Sequence, residues 1–215
     1  MIVKRFPVNP FEMNCYVYHD ENSKEGVIID PGAYTNEERK MILDYINTNS
    51  IEIKYILLTH GHVDHILGNK WAKENFHVDM FMHKEDLPLI ELSVEQALMF
   101  GIEIEQSPTP DKFVDENSEV NIGDCRFKII HTPGHSPGSV CYVDEKNKLI
   151  FGGDCLFKGS IGRTDLWRGN YDELLASIKN KILIYPDEFT VYSGHFEETT
   201  IGDEKKLNPF LKEVE

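Results

Sequence analysis

No stretch of the chain approaches the ~18 consecutive apolar residues needed to cross a bilayer, and the opening Met1-Ile-Val-Lys-Arg-Phe-Pro7 lacks the longer apolar segment of a secretory signal. Neither a membrane partner nor export is expected. Basic residues are scarce: 22 Lys and Arg stand against 37 Asp and Glu, a formal charge of −15. A polyanion would be repelled, so nucleic acid is not expected as a partner, and the acidity is read as an aid to solubility. Cysteines are few and scattered, at 15, 125, 141 and 155, with no Cys-x-x-Cys pair. This fits a reduced, cytoplasmic setting with the thiols serving as small buried hydrophobes. At 215 residues, 40% hydrophobic and 27% charged, residues 1–215 are expected to form a single α/β domain with a proper core.

What the chain does have is a dense group of histidines. Thr59-His60-Gly61-His62-Val63-Asp64-His65 puts four metal-ligating side chains directly after the apolar run Tyr55-Ile56-Leu57-Leu58. Imidazoles with one carboxylate suit Zn²⁺ or Fe²⁺, and three protonated His this close would repel one another unless spread round a cation. On an extended exit from a strand, His60 and His62 point the same way, while Asp64 and His65 sit where the chain turns into a helix at Ile66. One loop could then serve two ions.

Around this loop the pattern alternates strands and helices. Ile2 to Phe6, Cys15 to Tyr18 and Val27 to Ile29 read as strands, closed by Asp30-Pro31-Gly32. Thr35 and Glu38 form a capping box for a helix with Met41, Ile42, Tyr45 and Ile46 on one face. Ile51 to Leu58 is apolar enough to lie inside a sheet. Helices are expected at Ile66 to Glu74 and Leu89 to Phe100, and a strand at Val78 to Met82. Residues 102–117, with Pro108 and Pro110, read as a connector or as a flap over the site. Val120 to Ile130 and Val140 to Phe151 read as hairpins, Tyr171 to Ile184 as a helix and Thr190 to Tyr192 as the last strand.

Three further strands end in chemistry-bearing turns. In His131-Thr-Pro-Gly-His135, Pro133 and Gly134 impose a tight turn that aims His135 at the site, while His131 reads as an ordinary strand residue. Gly152-Gly153-Asp154 lets the backbone approach closely and delivers a carboxylate able to bridge two ions. Ser193-Gly194-His195 brings the last ligand.

The set H-x-H-x-D-H, T-P-G-H, G-G-D and S-G-H, each after a strand, resembles the metallo-β-lactamase fold superfamily from Met1 to about His195. The resemblance implies a four-layer αββα sandwich of two similar halves, with the metals at one edge between the sheets. It implies that His60, His62 and His135 hold one ion, that Asp64, His65 and His195 hold the other, and that Asp154 bridges them. The cofactors would be two divalent ions, zinc in the first place, with iron or manganese as alternatives.

Gly162-Arg163-Thr164-Asp165-Leu166 and the segment Thr199 to Phe210 are closer to glyoxalase II (hydroxyacylglutathione hydrolase) and its single-domain relatives. That likeness implies a thioester hydrolase acting on a small-molecule substrate, with Asp64 orienting the attacking hydroxide. Two departures from glyoxalase II are expected to weaken glutathione recognition. No separate C-terminal substrate domain is expected after His195, and Glu197 stands where that family carries a substrate-contacting Tyr. Lys158 and Arg163 are the candidate partners for a substrate carboxylate. A persulfide dioxygenase, holding one iron through His60, His135 and Asp154, is the rival enzyme, and a non-enzymatic metal-binding module the rival of another class. Antibiotic-cleaving lactamases, which are exported, are not expected.

Overall fold

The computed structural model describes residues 1–212. The first sheet is built in chain order from β1 (Ile2–Val8), β2 (Met13–His19), β3 (Glu25–Ile29), β4 (Glu52–Leu57), β5 (Asp79–Met82) and β6 (Lys112–Phe113). Strands β1 to β3 pair antiparallel and β3 to β6 parallel. The second half supplies β7 (Val120–Ile122), β8 (Cys125–His131), β9 (Val140–Asp144), β10 (Leu149–Gly153), a small hairpin of β11 (Leu156–Phe157) and β12 (Ser160–Ile161), then β13 (Thr190–Ser193) and β14 (Thr199–Thr200). Its main sheet has the order β14-β13-β10-β9-β8-β7, with β10 and β13 parallel.

Period-two alternation decides which face each side chain serves. On β2, Tyr16 and Tyr18 point between the sheets, where they meet Phe127, Tyr142 and Phe151. Cys15 and Val17 point the other way, toward Ile42 and Ile46 of α1 (Asn36–Thr48) and Ala72 of α3 (Asn69–Phe76). Beyond the second sheet, Cys141, Val143 and Ile150 pack on Leu174 of α6 (Tyr171–Ser177) and on Ile178 and Ile182. The layers are therefore helix, sheet, sheet, helix, the expected αββα sandwich. The four cysteines are buried and free. Among the described residues no helix is long and apolar enough to cross a membrane.

Local chemistry sets the element ends, and several differ from expectation. The Thr35–Glu38 capping box is present and the helix buries Ile42 and Ile46 of the expected face, but Met41 is exposed. The helix expected at Ile66 begins earlier, as α2 (Val63–Ile66), and breaks at Leu67-Gly68 before α3. A Cβ on Gly68 would lie 2.3 Å from the Pro31 carbonyl oxygen, so the chain passes too close there for any larger residue. Leu89 to Phe100 is likewise two helices, α4 (Leu87–Glu91) and α5 (Ser93–Met99), which break at Leu92, and the Ser93 hydroxyl beside the break accepts the Ser107 N–H at 3.0 Å. Residues 102–117 run as a connector that also contributes the edge strand β6, and they are tied down by Gln106 to the Ile90 carbonyl (2.6 Å) and by Asn69 to Ser107 (3.0 Å). The edge strand β14 and α7 (Ile201–Leu207) are additions that the sequence pattern does not announce.

Candidate metal centre

Four strands end at one edge of the sandwich, and each delivers donors. β4 runs into His60 and His62 and then into α2 with Asp64 and His65; β8 leads to His135, β10 to Asp154 and β13 to His195. Glycines permit the approach. Gly153 has φ 49°, and a Cβ there would lie 2.4 Å from Thr59 Oγ1; a Cβ on Gly194 would lie 2.2 Å from Asp154 Oδ1. The last turn is held from the opposite sheet, where the Asn14 N–H and the Tyr16 hydroxyl donate to the carbonyls of Gly194 and Ser193, each at 2.7 Å.

The structure brings all seven expected residues together. Their donor atoms fall into three overlapping groups, His60–His62–His135, His60–His65–Asp154 and Asp64–His65–His195, with atoms of each group within 4.8 Å of one another. The Nδ1 atoms of three rings are spoken for: His135 donates to the Arg163 carbonyl (2.7 Å), His195 to the Phe11 carbonyl (3.2 Å) and His65 to Asp30 Oδ2 (3.0 Å). Thr59 Oγ1 gives its own proton to Asp30 (2.7 Å), so His60 Nδ1 donates to it at 3.1 Å. All four of these rings therefore turn Nε2 inward, and His62 presents Nδ1, 2.8 Å from His135 Nε2.

This arrangement fits a cation. With their Nδ1 protons in place, His60 and His135 direct bare Nε2 lone pairs at each other across 3.2 Å. Donors about 2.0–2.1 Å from a tetrahedral zinc ion lie roughly 3.3 Å apart. His65 Nε2 and Asp154 Oδ1, 3.3 Å apart, are buried without a hydrogen-bond partner. Burial pushes His60 well below its usual pKa, helped by His65, His135 and His62, and it takes His62 down to about 3. His65 goes the other way: burial opposes its charge, but Asp154, Asp64 and Asp30 together push it up. Burial also works to raise Asp154, yet the charge on His65 holds it well below the carboxylate range. So much buried negative charge is stable only beside positive charge.

Two residues that sequence reasoning does not single out support the donors. Asp30 receives the Thr59 N–H and hydroxyl, each at 2.7 Å, as well as His65, and so fixes two rings at once. Asp86, fully buried, joins the Gly61 N–H to the Ser136 hydroxyl and the Gly138 N–H. The signal for Asp30 was its place at a strand end before Pro-Gly; Asp86 has none.

Five of the donors, His62, Asp64, His135, Asp154 and His195, line a cavity of about 590 Å³ with largely apolar walls. Arg163 lines it, but its guanidinium makes two 2.7 Å hydrogen bonds to Asp165. Lys158 is not part of the lining and pairs with Glu197 at 2.8 Å. A second cavity, of about 630 Å³ beside Tyr34 and Trp71, contains none of the donors. His131 lies outside the centre, stacked on His83 with ring centroids 4.1 Å apart and donating to the Pro137 carbonyl at 2.9 Å. His131→Ala is therefore expected to keep its full metal content by elemental analysis, at a stability cost of about 1 kcal/mol for the lost stacking. Loss of a metal equivalent would show that the wrong histidine of this turn has been chosen.

Residues 8–195 match the family Lactamase_B, described as the metallo-beta-lactamase superfamily. Over 213 residues the chain is 37% identical to hydroxyacylglutathione hydrolase GloC of Haemophilus influenzae, with 98% of each chain covered. Among solved structures it is similar to the crystal structure of BLEG-1 B3 metallo-beta-lactamase, with a TM-score of 0.89 and 37% identity over 99% of this chain and 100% of that one. It is also similar to TTHA1623 in a di-iron-bound form, with a TM-score of 0.87 and 35% identity over 97% and 100%.

Proposed function

The chain belongs to the metallo-beta-lactamase superfamily of metal-dependent hydrolases, and from that premise we propose that it is a two-metal enzyme, acting as a single domain, that hydrolyses small acyl thioesters. The observation that carries this reading is the convergence of seven donors from four loops, in overlapping groups, five of them lining an open apolar cavity. His60, His62 and His135 would hold one ion, Asp64, His65 and His195 the second, with Asp154 shared. Imidazole and carboxylate donors suit zinc, and also iron or manganese; TTHA1623 is a relative seen with two irons. When bound, such a pair lowers the pKa of a shared water toward ~7 and polarises the carbonyl under attack.

The overall change consumes one water: the acyl carbon gains the water oxygen, the C–S bond breaks with its electron pair on sulfur, and a carboxylate, a thiol and one proton result. Asp64 directs the water. Burial works to raise its pKa, but the charges of His65 and His195 keep it below the usual range, so its carboxylate is ready to accept a hydrogen bond. One of its oxygens lies 3.0 Å from His195 Nε2, which leaves the other for the attacking water. His135 is fixed by the Arg163 carbonyl and cannot rotate out of line.

The leaving group chooses among substrates. A thiol with a pKa of ~8.5 departs as thiolate without a proton donor. An amine, as in β-lactam cleavage, needs one, and outside the donor cluster no buried acid lines the cavity among the described residues. Similarity to GloC therefore weighs more here than similarity to BLEG-1.

The test uses metal-loaded protein against S-lactoylglutathione, an acetyl thioester and a chromogenic β-lactam, with oxygen uptake on glutathione persulfide and metal content measured alongside. Two ions per chain and thioester cleavage are expected. The rival reading has its own geometric support, since His60, His135 and Asp154 also converge, with separations of 3.2 and 3.5 Å about His135 Nε2. One iron per chain and oxygen uptake without thioester cleavage would replace the hydrolase by a dioxygenase.

A further inference from the structure

The walls of the cavity bear on the part of the substrate that does not react. Phe196, next to His195, has φ 64°, a left-handed conformation disfavoured for a bulky side chain. It is held there by Asn14 Nδ2 (2.8 Å) and Arg5 Nη1 (3.0 Å), which both donate to its carbonyl. The strain places the phenyl ring in the cavity wall, edge-on to Phe157 at 5.7 Å and yet 69% exposed. Met99, Phe100 and Trp167 line the same cavity, and Met99 is 82% exposed. Large apolar side chains gathered round one opening mark a surface that a ligand covers.

Charge on the walls points the same way. Arg163 is the one Lys or Arg among the described lining residues, and Asp165 already neutralises it through two hydrogen bonds. Besides the donors Asp64 and Asp154, whose charge bound ions would offset, the other formal charge of the lining is the negative one of Glu95. Away from the metal centre, a thioester carrying free carboxylates, such as one of glutathione, meets no unpaired side-chain cation on this surface.

We infer that the substrate's acyl group is a bulky, uncharged hydrocarbon or aromatic group, and that Phe196, Met99, Phe100 and Trp167 select it. The inference takes its reacting bond from the thioester reading, whereas its selectivity rests on the cavity alone. Each methylene moved from water onto these walls should raise kcat/KM by about 3- to 4-fold until the cavity is filled.

The experiment is a series of acetyl, butyryl, hexanoyl and octanoyl thioesters of N-acetylcysteamine, all uncharged, with S-lactoylglutathione beside them, on metal-loaded protein. Calorimetry with the uncleavable ethyl and octyl thioethers of the same thiol reads binding without turnover. The expected result is a rising series with S-lactoylglutathione near its low end, and octyl binding at least ~10-fold tighter than ethyl with a negative heat-capacity change. Phe196→Gly, Met99→Ala and Trp167→Ala should each cost the octanoyl ester several-fold more than the acetyl ester. Phe196→Gly should also keep or raise the melting temperature, because glycine accepts the positive φ. A flat series and equal thioether binding, with thioesters still cleaved, overturns the inference and leaves the thioester reading standing. Octyl preference in binding with no thioester cleaved upholds the selectivity and overturns the thioester reading instead. Preference for S-lactoylglutathione over the octanoyl ester also overturns the inference.

Discussion

Asp154→Ala is expected to lose both metal ions and to lower kcat/KM by more than ~10²-fold, while its far-UV circular dichroism stays that of the parent. Partners one layer removed from a metal already cost about 10–100-fold in affinity or activity when replaced, and Asp154 faces every part of the centre. Its Oδ1 lies 3.3 Å from His65 Nε2, and its Oδ2 lies 3.5 Å from His135 Nε2 and 3.6 Å from His195 Nε2. No other carboxylate among the described residues reaches both outer histidine groups. The sheet does not depend on this side chain, since the Gly194 N–H to Gly153 carbonyl bond at 2.8 Å joins β10 to β13 beside it. Asp154→Asn, which keeps the shape and removes the charge, should behave like the alanine variant. Two ions per chain in either protein, by elemental analysis, would remove Asp154 from its bridging role.

The donor loops are legible in the sequence because each joins an apolar strand to glycine or proline and then to a ligating side chain, and strand ends are where an αββα sandwich gathers its loops. The supporting carboxylates are not legible as acceptors, Asp30 being marked only by its place at a strand end before Pro-Gly and Asp86 by nothing. Asp30 meets Thr59 across 29 residues and Asp86 meets Ser136 across 50, and nothing in the spacing of either announces an acceptor. Helical periodicity also misleads where the same residue types serve two purposes. Leu92, Met99 and Phe100 carry the apolar pattern of a core-facing helix, yet they stand exposed on the cavity wall, and the helix breaks at Leu92. Lys158 is suggested by its nearness in sequence to Asp154. Its partner Glu197, 39 residues on, is the very residue that departs from the glyoxalase II pattern, and only the folded chain puts the two together.

Asp86→Ala should be the most destabilising single substitution near the centre, at about 3–5 kcal/mol, the range for removing one partner from a buried charged network. One oxygen of Asp86 accepts the Gly61 N–H at 2.9 Å and the Ser136 hydroxyl at 2.7 Å, and the other accepts the Gly138 N–H at 2.5 Å. Burial pushes the pKa of this carboxyl up, against the pull of those three donors. The side chain thus clamps the loop that carries His60 and His62 to the turn that carries His135. Alanine leaves the buried Gly61 and Gly138 N–H groups without an acceptor and the Ser136 hydroxyl with Ser139 Oγ alone, and asparagine keeps one accepting oxygen for N–H groups that lie on both sides of it. Urea unfolding should show a lower midpoint with an unchanged slope, and metal affinity should fall about 10–100-fold as the two loops loosen. Both readouts are needed. A cost below about 1 kcal/mol, the worth of a single ordinary hydrogen bond, together with unchanged metal affinity, would mean that the clamp is dispensable and that the strands alone set the geometry of the donors.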